Sequence, residues 1–333
     1  MVDIKTSGVK PLRTGFTHLI ERFGDKRPPN RYQEATYDLQ PTVNFHYKPT
    51  WETEGERDLY DARRTTIVMN DWYDLKDPRQ YYYGAWTMTR AKQQGALDQQ
   101  IEFVTKRDLL GSLPDQAKAQ IVWGIVPLRH YEWGANTVNS QVGAYGFGTA
   151  ITSPAMMQAM DRLGMAQHLS RIGLFTDGNT GDSLDQAHGH WMNDAEWQGL
   201  REQVETLFVT RDWFEAFVAQ NLVADSYVYP LFFSHFEAQF TRVYGASLSI
   251  LTDYLLEWQK EVARWVDAVI KTAAKEGAEN QQLLETWVSR WRAAFEEAVS
   301  PLAVELLGGD EAEVVLDEIN ADINKRIAKL GVA

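Results

Sequence analysis

The chain has 333 residues, of which 24% are charged and 44% hydrophobic; this excludes wholesale disorder and suffices for a sizeable core. A net charge of −13 argues against nucleic-acid or anionic-membrane binding, and the lack of cysteine removes disulfides, thiolate metal sites and cysteine nucleophiles. No run approaches the roughly 18 apolar residues of a membrane span, and residues 1–14 carry no secretory apolar segment, so the expectation is a cytoplasmic protein.

Residues 1–55 read as an extended arm without regular structure. Lys26-Arg27-Pro28-Pro29-Asn30 is a breaker cluster, and Pro41 and Pro49 follow. The stretch is nevertheless far more aromatic than a disordered tail. Such an arm lies on something apolar, either the chain's own helices or a partner. Tyr32, Tyr37, Phe45, Tyr47 and Trp51 are the candidate partner-facing residues.

Residues 56–333 are expected to form a single helical-bundle domain, because no inter-domain linker appears. A first long helix is predicted over about 80–110, after Asp77-Pro78 and before the break at Gly111-Ser112-Leu113-Pro114. A second starts at Asp115 and reaches about 143, with a kink at Pro127. A third follows Ser153-Pro154. Residues 176–190 read as a polar loop, followed by two helices over about 192–221 and 223–244. The clearest helix is 248–276, where Leu251, Leu255, Trp258, Val262, Trp265 and Val269 recur at alternating fours and threes. Another over 281–299 aligns Leu284, Trp287, Val288, Trp291 and Phe295, and Ser300-Pro301 is expected to end it. The last carries Val315, Ile319, Ile323 and Ile327. Strand-like alternation is nearly absent, so the fold class is all-α: long antiparallel helices packed as a bundle.

Bundles of this kind can hold two metal ions, with a Glu on each of two helices and a Glu-x-x-His on each of the others. Residues three apart share a helix face, which lets carboxylate and imidazole converge. The residues three before the seven histidines are Gly15, Val43, Pro127, Met165, Asp185, Ala187 and Phe232, and none is Glu. A dinuclear site of this type therefore cannot be built from this chain alone. The stretch from Asp177 to His188 lacks the Gly and Glu positions of a calcium loop. His188 and His190 read as loop histidines. Gly143-Ala-Tyr-Gly-Phe-Gly148 lacks the order of a phosphate cradle. Glu132 and Glu237 sit among aromatics and are candidate buried acids; Arg90, Arg107, Arg129 and Arg242 are available to pair with them. A carboxylate-only metal layer would have to draw on Glu132, Glu202, Glu205, Asp212, Glu215 and Glu237.

Residues 71–86, Asp-Trp-Tyr-Asp-Leu-Lys-Asp-Pro-Arg-Gln-Tyr-Tyr-Tyr-Gly-Ala-Trp, resemble the lead into the first bundle helix of bacterial multicomponent diiron monooxygenase hydroxylases. Within that family the likeness is to the β subunits of phenol hydroxylase and toluene monooxygenase. Residues 128–136, Leu-Arg-His-Tyr-Glu-Trp-Gly-Ala-Asn, and 217–223, Phe-Val-Ala-Gln-Asn-Leu-Val, support it. The resemblance implies a ferritin-like, ribonucleotide-reductase-like bundle that has lost its iron ligands. It implies an (αβγ)2 hydroxylase whose α subunit holds the diiron centre and substrate pocket. It also implies a small regulatory protein and a reductase carrying NADH-derived electrons over FAD and a [2Fe–2S] cluster to hydroxylate an aromatic ring with O2. On this reading the chain has no catalytic, cofactor or metal residue of its own, and Glu132 and Ala135 fall on a degenerate former ligand position. The rival readings are an independent carboxylate-only metal bundle and a generic α-helical interaction protein.

Overall fold

The computed structural model describes residues 17–39 and 61–333. Among them there are helices and no strands. Two short helices, α1 (Ile20–Phe23) and α2 (Arg31–Thr36), come first. They correct the expectation of an arm without regular structure. The side chain of Asn30 accepts from the Gln33 amide and the Gln33 side chain from the Asn30 amide, a reciprocal cap that starts α2 right after the prolines.

The long helices are α3 (Tyr83–Lys106), α4 (Asp115–Gly124), α5 (Leu128–Tyr145) and α6 (Thr149–Thr176). Then come α7 (Asp182–Asn193) and α8 (Ala195–Phe208). The expected second helix is broken in two at Pro127, which cannot donate to the turn before it. α6 starts at Thr149 and not at Pro154, because Gly148 makes the turn at φ +92°. A side chain there would press within 3.2 Å of Trp72 Cβ. The predicted polar loop 176–190 shrinks to a turn. From Asp182 onward Ser183, Ala187 and Trp191 are buried at strict fours, and the apolar stripe makes a helix out of a polar sequence. His188 and His190 therefore stand on α7.

α9 begins at Trp213–Phe217 and continues without interruption through π-helical Val218–Ala224, Asp225–Pro230, π-helical Leu231–Phe236 and Glu237–Tyr244. The expected break near residue 222 does not exist. Two wide turns absorb the irregularity, and this helix is buried nearly all round from Trp213 to Phe236. α10 (Ser247–Glu276) buries its whole predicted stripe. α11 (Ala278–Leu307) runs through Pro301 to Gly308, which corrects the expected end at Ser300-Pro301. Leu302, Ala303 and Leu306 beyond the proline are buried, and their packing outweighs the one lost backbone bond. α12 is Gly309–Leu330, with Val315, Ile319, Ile323 and Ile327 inside.

The centre is a four-helix ring in the order α5, α6, α10, α9. α11 and α12 lie over the α9–α10 side, α8 sits beside α5 and α11, and α3 runs along α10. One core cluster extends from Ile67 to Val332. The non-helical stretch before α3 is strapped to helix ends. Thr66 donates from its amide and hydroxyl to Asp212 at 2.7 and 2.6 Å, and Asn280 pairs with both backbone groups of Val68 at 3.0 and 2.8 Å.

Candidate functional site

All four ring helices bring polar side chains to one buried level. Arg162 of α6 is fully buried. It donates through Nη1 to Glu132 of α5 at 3.0 Å and through Nη2 to Asp225 of α9. Tyr229 donates to the other side of Glu132 at 2.7 Å, and Tyr131 donates to Asp225 at 2.6 Å. Gln220 donates to the Tyr131 hydroxyl at 2.9 Å. The Trp258 ring of α10 lies 4.9 Å from the Arg162 guanidinium carbon, a cation–π contact that covers its flat face.

The helices supply these groups for local reasons. Tyr131 and Glu132 begin the first buried face of α5, one turn after Pro127. Asp225 and Tyr229 are four apart on α9, between its two wide turns, and so reach the ring centre together.

Electrostatics holds the cluster ionised at its centre. Burial opposes the charge of Arg162, but Asp225 and Glu132 outweigh it and push its pKa above the ordinary arginine range. Burial raises the Glu132 carboxyl, Arg162 pulls it back and Asp225 adds to the rise; the net direction is up. Tyr131 and Tyr229 are raised by burial first and by the adjoining carboxylates, so both remain hydrogen-bond donors.

A second ionic group adjoins the first through Trp258, whose Nε1 donates to Asp161 at 3.1 Å. Arg90 of α3 holds Asp161 at 2.7 Å and Glu261 of α10 at 3.0 Å. Arg79 connects Glu261 to Asp77. The Asp77 amide in turn donates to the Tyr32 hydroxyl at 2.9 Å. A polar line thus crosses the bundle from α2 to α9.

The donor set does not suit a metal pair. Ala135 follows Glu132 by three, Met165 follows Arg162 and Val228 follows Asp225, so none of these three ring positions has an imidazole one turn on; the single acid-to-histidine spacing of three, Asp185 to His188, stands on α7 outside the ring. Among the described residues no three His, Asp or Glu side chains gather as a metal site. A guanidinium has no lone pair to give a metal and does not deprotonate; what it supplies at the ring centre is fixed positive charge between two carboxylates.

Glu132 was legible as a buried acid, but its partner is Arg162 and none of the four arginines set beside it in the sequence. Of those, Arg90 pairs with Asp161 and Glu261, Arg129 donates to the Leu184 carbonyl at 2.8 Å and Arg107 stacks on Phe103. Glu237 is only half buried and accepts from Thr241 and Ser249. The acids named for a carboxylate layer are scattered: Asp212 caps α9, Glu215 accepts from Trp291, and Glu205 pairs with Arg201 on the surface. Asp225 and Arg162 were missed. The signal for Asp225 was a single charge inside an otherwise uncharged run, and for Arg162 an adjacent Asp161-Arg162 pair in the middle of one; in a ring helix such charges have to find partners across the core.

Tyr32 and Tyr37, expected on a partner-facing arm, are buried in the chain's own satellite core with Leu19, Tyr73 and Ala150. Their rings satisfy themselves within the chain. Phe45, Tyr47 and Trp51 lie outside the described residues.

The sequence pattern of the family described as Methane/Phenol/Alkene Hydroxylase matches residues 51–277. The chain is 44% identical over 331 residues to the oxygenase component DmpL of a phenol 2-monooxygenase from Pseudomonas sp. (strain CF600), covering 99% of this chain and 98% of that one. It is 23% identical to the hydroxylase component subunit beta of the toluene-4-monooxygenase system of Ectopseudomonas mendocina, over 87% of this chain and 89% of that one. Its fold superimposes on a chain in the xenon-pressurized crystal structure of phenol hydroxylase from Pseudomonas sp. OX1 with a TM-score of 0.90 and 39% identity, covering 98% of each.

Proposed function

The chain belongs to the methane, phenol and alkene hydroxylase family, and from that premise we propose that it is the non-catalytic β subunit of a multicomponent phenol-type monooxygenase. Its work is to support an iron-bearing α subunit, with a small γ subunit, in an (αβγ)2 hydroxylase. A regulatory protein and an NADH-dependent reductase with FAD and a [2Fe–2S] cluster act on that assembly in turn. The setting is the cytoplasm.

The observation that carries this reading is Arg162. A permanent cation stands between Glu132 and Asp225 at the centre of the helix ring and fills that position with protein charge. Glu132 and Ala135 are then the remnant of a lost ligand position. The ring keeps its geometry through an internal ion pair, and the chain offers a rigid body against which a partner's helices can be held in register.

The test is metal and activity analysis of the chain with and without its partner. Expected are iron and phenol oxidation only where the iron-bearing subunit is present, and neither in the isolated chain. Two iron atoms per isolated chain, or ring hydroxylation by it with a reductase, would refute the reading and favour an independent oxygenase.

A further inference from the structure

Arginine carries five N–H donors, and the ion pairs of Arg162 use only those at the end of the fork. Nη1 goes to Glu132 and the Tyr229 hydroxyl, and Nη2 goes to Asp225. Nε has no protein partner, although the side chain is fully buried. One turn back on the same face of α6, Gln158 is 1% exposed, and neither its Oε1 nor its Nε2 meets a protein partner. A helical side chain leans toward the N-terminus, over the residue four before it. The stem of Arg162 therefore lies over Gln158, yet the donor of one and the acceptor of the other do not join. Diagonally across the ring, Gln220 donates through Nε2 to Tyr131 and Asp225 at 2.9 and 3.3 Å, while its Oε1 is unpartnered. Four polar atoms are thus left over around one buried guanidinium.

These atoms share a level of the ring. The Asn136 side chain of α5 donates to the Ala159 carbonyl of α6 at 2.6 Å, so the turn that carries Gln158 faces the turn that carries Ala135. Ala135 is fully buried and brings only a methyl group to the face of Glu132. On α9 the level falls in the wide turn Val218–Ala224, where Ala219 and Ala224 are fully buried as well. Asn139 and Asn221 close the level on the far side, their amides paired with each other at 3.2 and 3.1 Å. Each buried polar atom without a partner carries its full desolvation penalty. Four of them beside small side chains call for one bonding partner set between them.

We propose that the ring contains an internal water-binding site between Arg162 Nε, Gln158 and Gln220, one helical turn from the ion pairs. The atoms themselves choose the ligand. Arg162 Nε and Gln158 Nε2 need an acceptor, and the two glutamine Oε1 atoms need a donor. A metal ion has no lone pair to offer Nε. An anion has no proton to offer the amide oxygens and would stand beside Glu132 and Asp225. Water is small, neutral and both donor and acceptor, and internal waters make about three such bonds to groups otherwise unpaired. The bound water completes the bonding of Arg162. With Nε held as well as both ends of the fork, the guanidinium is fixed in its plane, and the ion pairs to Glu132 and Asp225 keep one geometry. The site belongs to this chain's own core and does not depend on the subunit role proposed above.

The experiment is a crystal structure of the unaltered full chain, at a resolution that shows ordered solvent, and of Gln158→Met, with thermal melts of both. In the unaltered chain a water is expected within hydrogen-bond distance of Arg162 Nε and of at least one of the two glutamine amides. In Gln158→Met that water is expected to be lost or displaced, and Tm to fall by about 1–4 °C as it gives up its glutamine partner. A metal ion or an anion at that position overturns the proposal, as do Arg162 Nε and the Gln158 amide bonded directly to protein atoms. A Gln158→Met chain as stable as the parent, or more stable, overturns it too, because an amide with no partner at all is better replaced by an apolar side chain of the same length. Should the variant fail to fold, the unaltered structure decides by itself.

Discussion

Replacing Arg162 with Met tests the central ion pair most directly. The side chains are similar in length, so little space changes, but Glu132 and Asp225 lose their shared cation inside the core. Removing one partner of a buried pair costs about 3–5 kcal/mol, because the remaining charge has neither solvent nor counter-ion. Here two carboxylates are left, held only by the hydroxyls of Tyr229 and Tyr131 and the amide of Gln220. For a chain of this size that loss corresponds to a fall in Tm of roughly 4–7 °C.

The pH dependence gives a second reading. Glu132 is already raised with Arg162 present, and without that cation it should rise further. A carboxyl raised in the folded state holds its proton more tightly than in the unfolded chain. Stability therefore falls as pH climbs from the unfolded value near 4 through the folded one. The variant should be closer to the parent at pH 5 than at pH 8. Adding Glu132→Gln and Asp225→Asn removes the orphaned charges and should recover more than half of the loss at pH 8. Urea melts at both pH values measure all of this. An Arg162→Met protein as stable as the parent at pH 8, or a loss that does not change with pH, would refute the ion-pair reasoning.

Three further outcomes are expected. Asn280→Ala frees both backbone groups of Val68 and the Ala273 carbonyl at the end of α10, should cost about 1–3 kcal/mol, and should speed amide exchange over residues 66–70. Gly148→Ala forces a side chain onto a backbone at φ +92° against Trp72, and a loss of about 1–3 kcal/mol is expected in a thermal melt. Burial, then Arg129 and His188, hold the His130 imidazole down at about 4. It is neutral in the folded chain where it would be protonated unfolded, so its stabilisation is present above the unfolded value near 6.5 and is lost as pH falls toward 4. After discounting for partial exposure this is about 1–2 kcal/mol, and His130→Gln should flatten stability against pH over that window.

Most of the architecture was legible along the chain. The stripe from Leu251 to Val269 and the fours from Val315 to Ile327 are periods of a single helix, and each lies on a buried face. The lack of Glu-x-x-His was equally readable, since that motif lies within one turn. Punctuation was less reliable. Pro301 sits inside a helix and the polar run after Asp182 forms one, because burial of a few apolar residues outweighs a breaker or a polar composition.

The centre of the ring was decided by tertiary structure. Glu132 and Arg162 are thirty positions apart and Asp225 is sixty-three beyond Arg162, and no local spacing relates them. A period is written into one helix by its own geometry. A charge pair across a core exists only after four helices have packed at set rotations, and the same packing decides which of two carboxylates and which of many arginines lose access to water.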